Sequence, residues 1–313
     1  MRALIAIPDL ITNSYFAALA AVELGCFARR GIAAEYALIF PSQRAYAALR
    51  DGSAQFVAAP AHSALVPFPR FCGVRLLAAL SQGMYWKLVL RADLRPRPGD
   101  PAAARGLRIG AAPMVDLGLR YLLAKAGVDI ARQNVRIVPV PGADAPGASF
   151  GVTAALALQG GDLDGFWANG MGAAVAVQSG VGIVVLDVRR GLGPAAAMHA
   201  TMPVLAAAEE LIASDRPLVE AAISAVVEAE AMLRADPQRA DWIANRIFPP
   251  ADAELIGDVV REDLPFTTPD LSRQAIAGLC EFACAMGLLH DPPEHGDIVP
   301  DFAAALWQGS NTA

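Results

Sequence analysis

The chain has 313 residues, 55% of them hydrophobic and 18% charged, with a mean hydropathy of +0.40 and a formal net charge of -6. That length gives room for about two domains of ordinary size and a sizeable core. Arg, Asp, Pro or Gly interrupts every apolar run before the roughly 18 residues a spanning helix needs, and no basic cluster tracks phosphates, so neither a membrane span nor a nucleic-acid partner is expected.

Residues 2–7 are almost wholly apolar, as a parallel strand covered on both faces requires. Thr12, Asn13 or Ser14 supplies a cap for a helix whose buried face is Phe16, Leu19, Val22, Leu24 and Phe27, and Gly31 ends it. A strand over 32–39 completes a βαβ unit; a helix over 42–50 and strands over 55–58, 76–80 and 87–91 continue the pattern. The Pro-rich stretch 93–101 cannot be regular structure and reads as the crossing into a second lobe.

The second lobe repeats the scheme: strand 107–112, helix 117–126, strand 135–140, a Gly/Ala/Pro loop over 141–151, helix 153–158, strand 165–167, helix 172–179 and strand 182–187. The repetition reaches single residues. AYAALRDGSAQFVAAPAHSA (45–64) parallels TAALALQGGDLDGFWANGMGA (153–173), with Leu49 and Gly52 matching Leu158 and Gly161, and Pro8 matches Pro113. The flexible stretch 189–194 reads as the return crossing, so two crossings make a hinge. A strand near 202–207 is followed by helices over 217–234, from Asp236 with Pro237, and from Thr268 with Pro269 to residue 288, all expected to brace the first lobe. The domain division that follows is residues 1–92 with 190–313 for the first lobe and 93–189 for the second.

The phrases RDGSAQFVAAPAHSAL, LLAALSQG, WKLVLRADL, LRIGAAP and, above all, GGDLDGFWANGMGAAVAVQSGVGIVVLD resemble periplasmic-binding-protein-like chains of the nitrate, sulfonate, taurine and thiamine-precursor type. The resemblance covers most of the chain. It implies an α/β, two-lobed, type II periplasmic-binding-protein-like fold with two doubly wound sheets joined by a hinge. It also implies the solute-binding component of an ABC importer, with a permease and an ATPase as partners. Relatives of similar fold include enzymes: a thiamine-pyrimidine synthase, an aromatic sulfinate desulfinase and aromatic decarboxylases. This sequence lacks the synthase's cysteine-rich motif, and Pro8 to Leu10 stand where the desulfinase keeps its nucleophilic cysteine.

In doubly wound sheets, ligands bind beyond the carboxyl ends of the strands, beside helix N-termini. Those ends nominate Pro8, Asp9, Ser14, Tyr15, Ser42, Pro60, His62, Ser81, Tyr85 and Trp86 from the first lobe, and Pro113, Asp116, Trp167 and Asn169 from the second. Only Arg44 and Lys87 supply nearby cations, which disfavours a strongly anionic ligand. Tyr15, Tyr85, Trp86 and Trp167 fall on pocket loops and can clamp a flat ring, while Asp116, Asn169 and Ser81 offer polar contacts. Each has a structural alternative: Asp116 as a helix cap, Trp167 and Trp86 as core, His62 as a lone histidine with no partner visible in the sequence and no ligand contact.

The expected function is solute binding, the ligand being small, ring-bearing and neutral or weakly charged. The alternatives are a cytosolic decarboxylase or lyase of an aromatic or heterocyclic acid, with His62 and Asp116 as proton carriers, and a cytosolic ligand sensor. No cofactor or metal is expected: there is no GxGxxG, P-loop or nucleophile elbow, and His290 and His295 lack further ligands beside them. Asp162 and Asp164, two apart in a strand, point to opposite faces and cannot pair as acid and base. Cys280 and Cys284 read as core packing. The start MRALIAIPDLIT has no export leader, which implies a cytoplasmic protein as written, or a periplasmic one from which a leader was removed.

Overall fold

The computed structural model describes residues 1–308, which build two five-stranded sheets of matching topology. The first sheet is made of β1 (Arg2–Ile7), β2 (Ala33–Leu38), β3 (Phe56–Pro60), β4 (Val74–Ala79) and a late strand, β10 (Pro203–Ala208). The second is made of β5 (Lys87–Arg91), β6 (Arg108–Ala111), β7 (Arg136–Val138), β8 (Gly165–Ala168) and β9 (Gly182–Leu186). Their orders are β2-β1-β3-β10-β4 and β7-β6-β8-β5-β9, with β10 and β5 antiparallel to both neighbours and the other pairings parallel. The internal repeat is therefore a repeat of whole lobes.

Alternation along the strands distributes side chains between the cores on each sheet's two faces. In β1, Ala3, Ile5 and Ile7 enter the core under α1 (Phe16–Glu23), while Ala6 enters the core under α2 (Ser42–Arg50). In the second sheet, Leu88, Leu90 and Trp167 face α3 (Val115–Lys125), whereas Val89, Phe166 and Ala168 face α4 (Phe150–Gln159) and α5 (Gly170–Gln178). Near-continuous apolar strands are what this two-sided covering demands.

The expected boundary at residue 93 is corrected. β5 pairs with β8 and β9, so the chain has already crossed between β4 and β5, over residues 80–86, and it returns between β9 and β10. Each sheet's antiparallel strand reaches it through a crossing, and an isolated apolar strand carries no mark of which sheet will pair with it. The Pro-rich stretch after β5 is a surface loop beyond the true hinge.

The remaining helices are α6 (Glu209–Ser214), α7 (Arg216–Ala235), α8 (Arg239–Ile247), α9 (Pro250–Asp263) and α10 (Arg273–Ala285), followed by two short helical turns. Asp215 caps α7, its carboxylate accepting from Leu218 N–H at 3.1 Å. The last long helix opens later than Thr268, on Ser272, because the residues before it lie extended against the first lobe, where Ala79 N–H donates to the Pro269 carbonyl at 2.9 Å. The bracing also reaches further than expected: α9 packs on α5, and Phe282 of α10 joins the second lobe's core. Among the described residues no helix is long and apolar enough to cross a membrane.

Candidate functional site

The carboxyl ends of strands from both lobes converge on one cavity of about 40 Å³. The loop after β1 supplies Asp9, Thr12, Ser14 and Tyr15; residues after β2 and β3 add Phe40, Ser42 and Pro60; the crossing adds Tyr85 and Trp86. The second lobe closes it with Pro113, Val115, Phe150 and Asn169. Such a volume holds little more than a water or two, so these lobes are closed upon each other.

Two contacts shut the cavity. Phe40 of the first lobe stacks on Phe150 of the second, ring centroids 6.2 Å apart, and beyond this pair lies a surface hollow of about 390 Å³. Asp9 accepts from Ser149 Oγ at 3.2 Å and from Asn169 Nδ2 at 3.3 Å, both across the lobe boundary, and beyond it lies a hollow of about 430 Å³. Ser149 is the N-cap residue of α4, and Asn169 caps α5 by accepting from Gly172 N–H at 3.2 Å. Asp9 thus occupies the seat that helix N-termini offer an anion. The helix starts come this close because both carry glycine: a Cβ on Gly172 would stand 2.6 Å from the Gly151 carbonyl oxygen.

Asp9 is 5% exposed. Burial lifts its carboxyl from 3.8 to about 7, and the donors from Ser149, Gly151, Ile11 and Asn169 only partly oppose this. No lysine or arginine lines the cavity. Tyr15 and Tyr85 share a hydroxyl–hydroxyl bond of 3.2 Å, and burial drives both phenols well above their ordinary range, so they are neutral. Behind Tyr85 lies the buried Arg189, donating to Ser81 Oγ at 2.7 Å and to Asp263 at 3.3 Å, which stitches the two crossings to α9. The Ser14 hydroxyl is buried and has no partner among the described residues.

A model of the NMT1-like family matches residues 93–248. Just under half of the chain thus resembles the NMT1-like family. No curated protein matches it. Among solved structures, this chain is similar to the alkanesulfonate-binding protein SsuA from Xanthomonas axonopodis pv. citri bound to MOPS (15% identity, 96% of this chain and 97% of that one, TM-score 0.70). It is also similar to the periplasmic nitrate-binding protein NrtA from Synechocystis PCC 6803 (13% identity, 99% and 88%, TM-score 0.69). The desulfurization enzyme DSZB is likewise similar (19% identity, 97% and 99%, TM-score 0.63). The fold is thus that of ABC-type substrate-binding proteins, and one enzyme shares it.

The cavity brings together Pro8, Asp9, Ser14, Tyr15, Ser42, Pro60, Tyr85, Trp86, Pro113 and Asn169 of the residues nominated from sequence. Four lie outside its lining. Trp167 is fully buried on the opposite face of its strand, its indole N–H donating to the Val115 carbonyl at 3.1 Å. Asp116 turns along its helix to Arg120 at 2.9 Å, an i,i+4 pair. Ser81 is taken by Arg189. His62 gives both ring nitrogens to the protein, Nδ1 to Thr201 Oγ1 at 2.9 Å and Nε2 to the Met114 carbonyl at 3.0 Å. Sequence reasoning missed Phe40, Phe150 and Ser149. Phe40 directly follows a strand, a usable signal; the other two lay in or beside a loop whose helix starts earlier than periodicity indicated.

Proposed function

We propose that this chain is the solute-binding component of an ABC-type importer, capturing a small, ring-bearing molecule between its lobes. The observation that carries the reading is the cavity's composition. It lies wholly between the lobes, it is lined by strand ends of both, and it presents Tyr15, Phe40, Tyr85, Trp86 and Phe150 around a few hydroxyls with no basic residue. A ligand touching both lobes stabilises closure by its differential affinity for the closed state. The sulfonate- and nitrate-binding proteins of the same fold support a transport role, in which a permease and ATPase would be the partners and the periplasm the place of work.

A second reading, catalysis, is favoured by one observation: Asp9, a carboxyl lifted to about 7, is the ordinary requirement for a general acid or base in a cleft. The likeness to DSZB agrees with it. The proton carrier is then Asp9, since neither His62 nor Asp116 lines the cavity. Mass spectrometry of small molecules released from the purified, denatured protein, followed by incubation of the protein with the compound found, tests both. An unchanged compound in about equimolar amount supports binding; turnover reverses the order; failure to bind or convert any recovered compound removes both.

A further inference from the structure

The cavity has an imbalance of charge that the transport reading leaves open. Among the described residues Asp9 is its one carboxylic acid, and neither lysine nor arginine stands in the lining to neutralise it. Its oxygens are held as acceptors: Oδ1 by Ile11 N–H at 3.1 Å, Oδ2 by Ser149 and Asn169. The titratable groups packed around it, Tyr15 and Tyr85 inside the cleft and Tyr36 in the outer hollow, are phenols that burial keeps neutral. Aromatic rings, whose faces are electron-rich, make up much of the remaining wall. The buried Ser14 hydroxyl, unpartnered among the described residues, adds a free acceptor.

We infer that the cleft selects a cationic ligand, a protonated amine carried beside an unsaturated ring, with Asp9 as counter-ion, the aromatic wall as cation–π surface and Ser14 as a further acceptor. This rests on the binding reading above. An oxyanion meets the opposite situation. The helix starts that would receive it are occupied by Asp9, and expelling Asp9 from Ser149 and Asn169 breaks the contacts that join the lobes. A cation instead pairs with Asp9 where it already stands, favours its ionised form, and releases the proton that the closed, ligand-free cleft retains near neutrality.

The test is calorimetric titration of the full chain at pH 7 with benzylammonium, benzyl alcohol and benzenesulfonate, which hold the ring constant, in two buffers of different ionisation enthalpy. The expected result is at least about tenfold preference for benzylammonium over either other probe, with proton release, reduced to within about threefold by Asp9→Asn. Ser14→Ala, which breaks no hydrogen bond of its hydroxyl, is expected to weaken benzylammonium severalfold and serves if Asp9→Asn does not fold. Equal binding of the three, or a preference for benzenesulfonate, overturns the cationic ligand and leaves the binding reading standing. No binding of any probe overturns both.

Discussion

His62 of the first lobe donates from Nε2 to the carbonyl of Met114 in the second, 3.0 Å away, and so forms a fixed strut between the lobes. A carbonyl only accepts, so Nε2 carries the proton and Nδ1 accepts from the Thr201 hydroxyl. Burial pushes the ring from 6.5 down to about 4. Between these values the unfolded chain binds the proton and the folded one does not. The stability due to this ring is present above 6.5 and is lost as pH falls through about 4. His62→Gln should flatten the acid side of the stability profile and lower stability at pH 8 by about 1–3 kcal/mol. Urea unfolding from pH 4 to 8 checks this; an unchanged acid slope removes the strut from the pH response.

Asp9 acts with the opposite sign. Its carboxyl is raised from 3.8 to about 7, so the closed structure favours the protonated acid. Its stabilising effect is fully present below 3.8 and is lost as pH rises through about 7. The stability of Asp9→Asn relative to wild type should therefore improve between pH 4 and 8, by up to a few kcal/mol. A difference independent of pH across that window would show that Asp9 titrates normally.

Trp167 is a core residue beside the site. Trp167→Ala should lower stability by about 3–5 kcal/mol, since it opens a large cavity and removes the indole's hydrogen bond to the Val115 carbonyl. Trp86→Ala should instead weaken binding of the released compound tenfold or more, because Trp86 lines the cleft. Denaturant unfolding and ligand titration on both variants separate the two roles; reversed results exchange their assignments.

Gly172 lets the starts of α4 and α5 approach. A methyl group there meets the Gly151 backbone, which cannot rotate aside as a side chain could. Gly172→Ala should cost about 1–3 kcal/mol and weaken the Asp9–Asn169 contact. Unaltered stability together with an unaltered Asp9 pKa, read by carboxyl NMR, would count against this account.

Arg189 is buried between the crossings and bonded to Asp263 at 3.3 Å. Arg189→Ala takes away one of the two guanidinium partners of Asp263, leaving Arg190 at 3.1 Å, and removes a support from Tyr85 and Ser81; it should destabilise by about 2–3 kcal/mol. Small-angle scattering should show more open lobes than in wild type. Unchanged dimensions would locate the restraint elsewhere.

The apolar strands and the doubling of the lobes were legible because each depends on neighbours in sequence. The rule that ligands sit at strand ends placed ten of the nominated residues around the cavity. Trp167 was misplaced because β8 runs to Ala168, which turns Trp167 to the core face and leaves Asn169 as the end residue.

By itself, then, the sequence determined two α/β lobes, their strand ends and the aromatic, cation-poor character of the cleft, since these follow from composition and short-range periodicity. Only the tertiary structure decided which sheet adopts β5 and β10, that Asp9 meets Ser149 and Asn169, and that Arg189 meets Asp263. Those pairings join groups far apart in the chain. Their partners are chosen by the closing of the lobes and by the need to satisfy buried polar atoms, which local pattern does not encode.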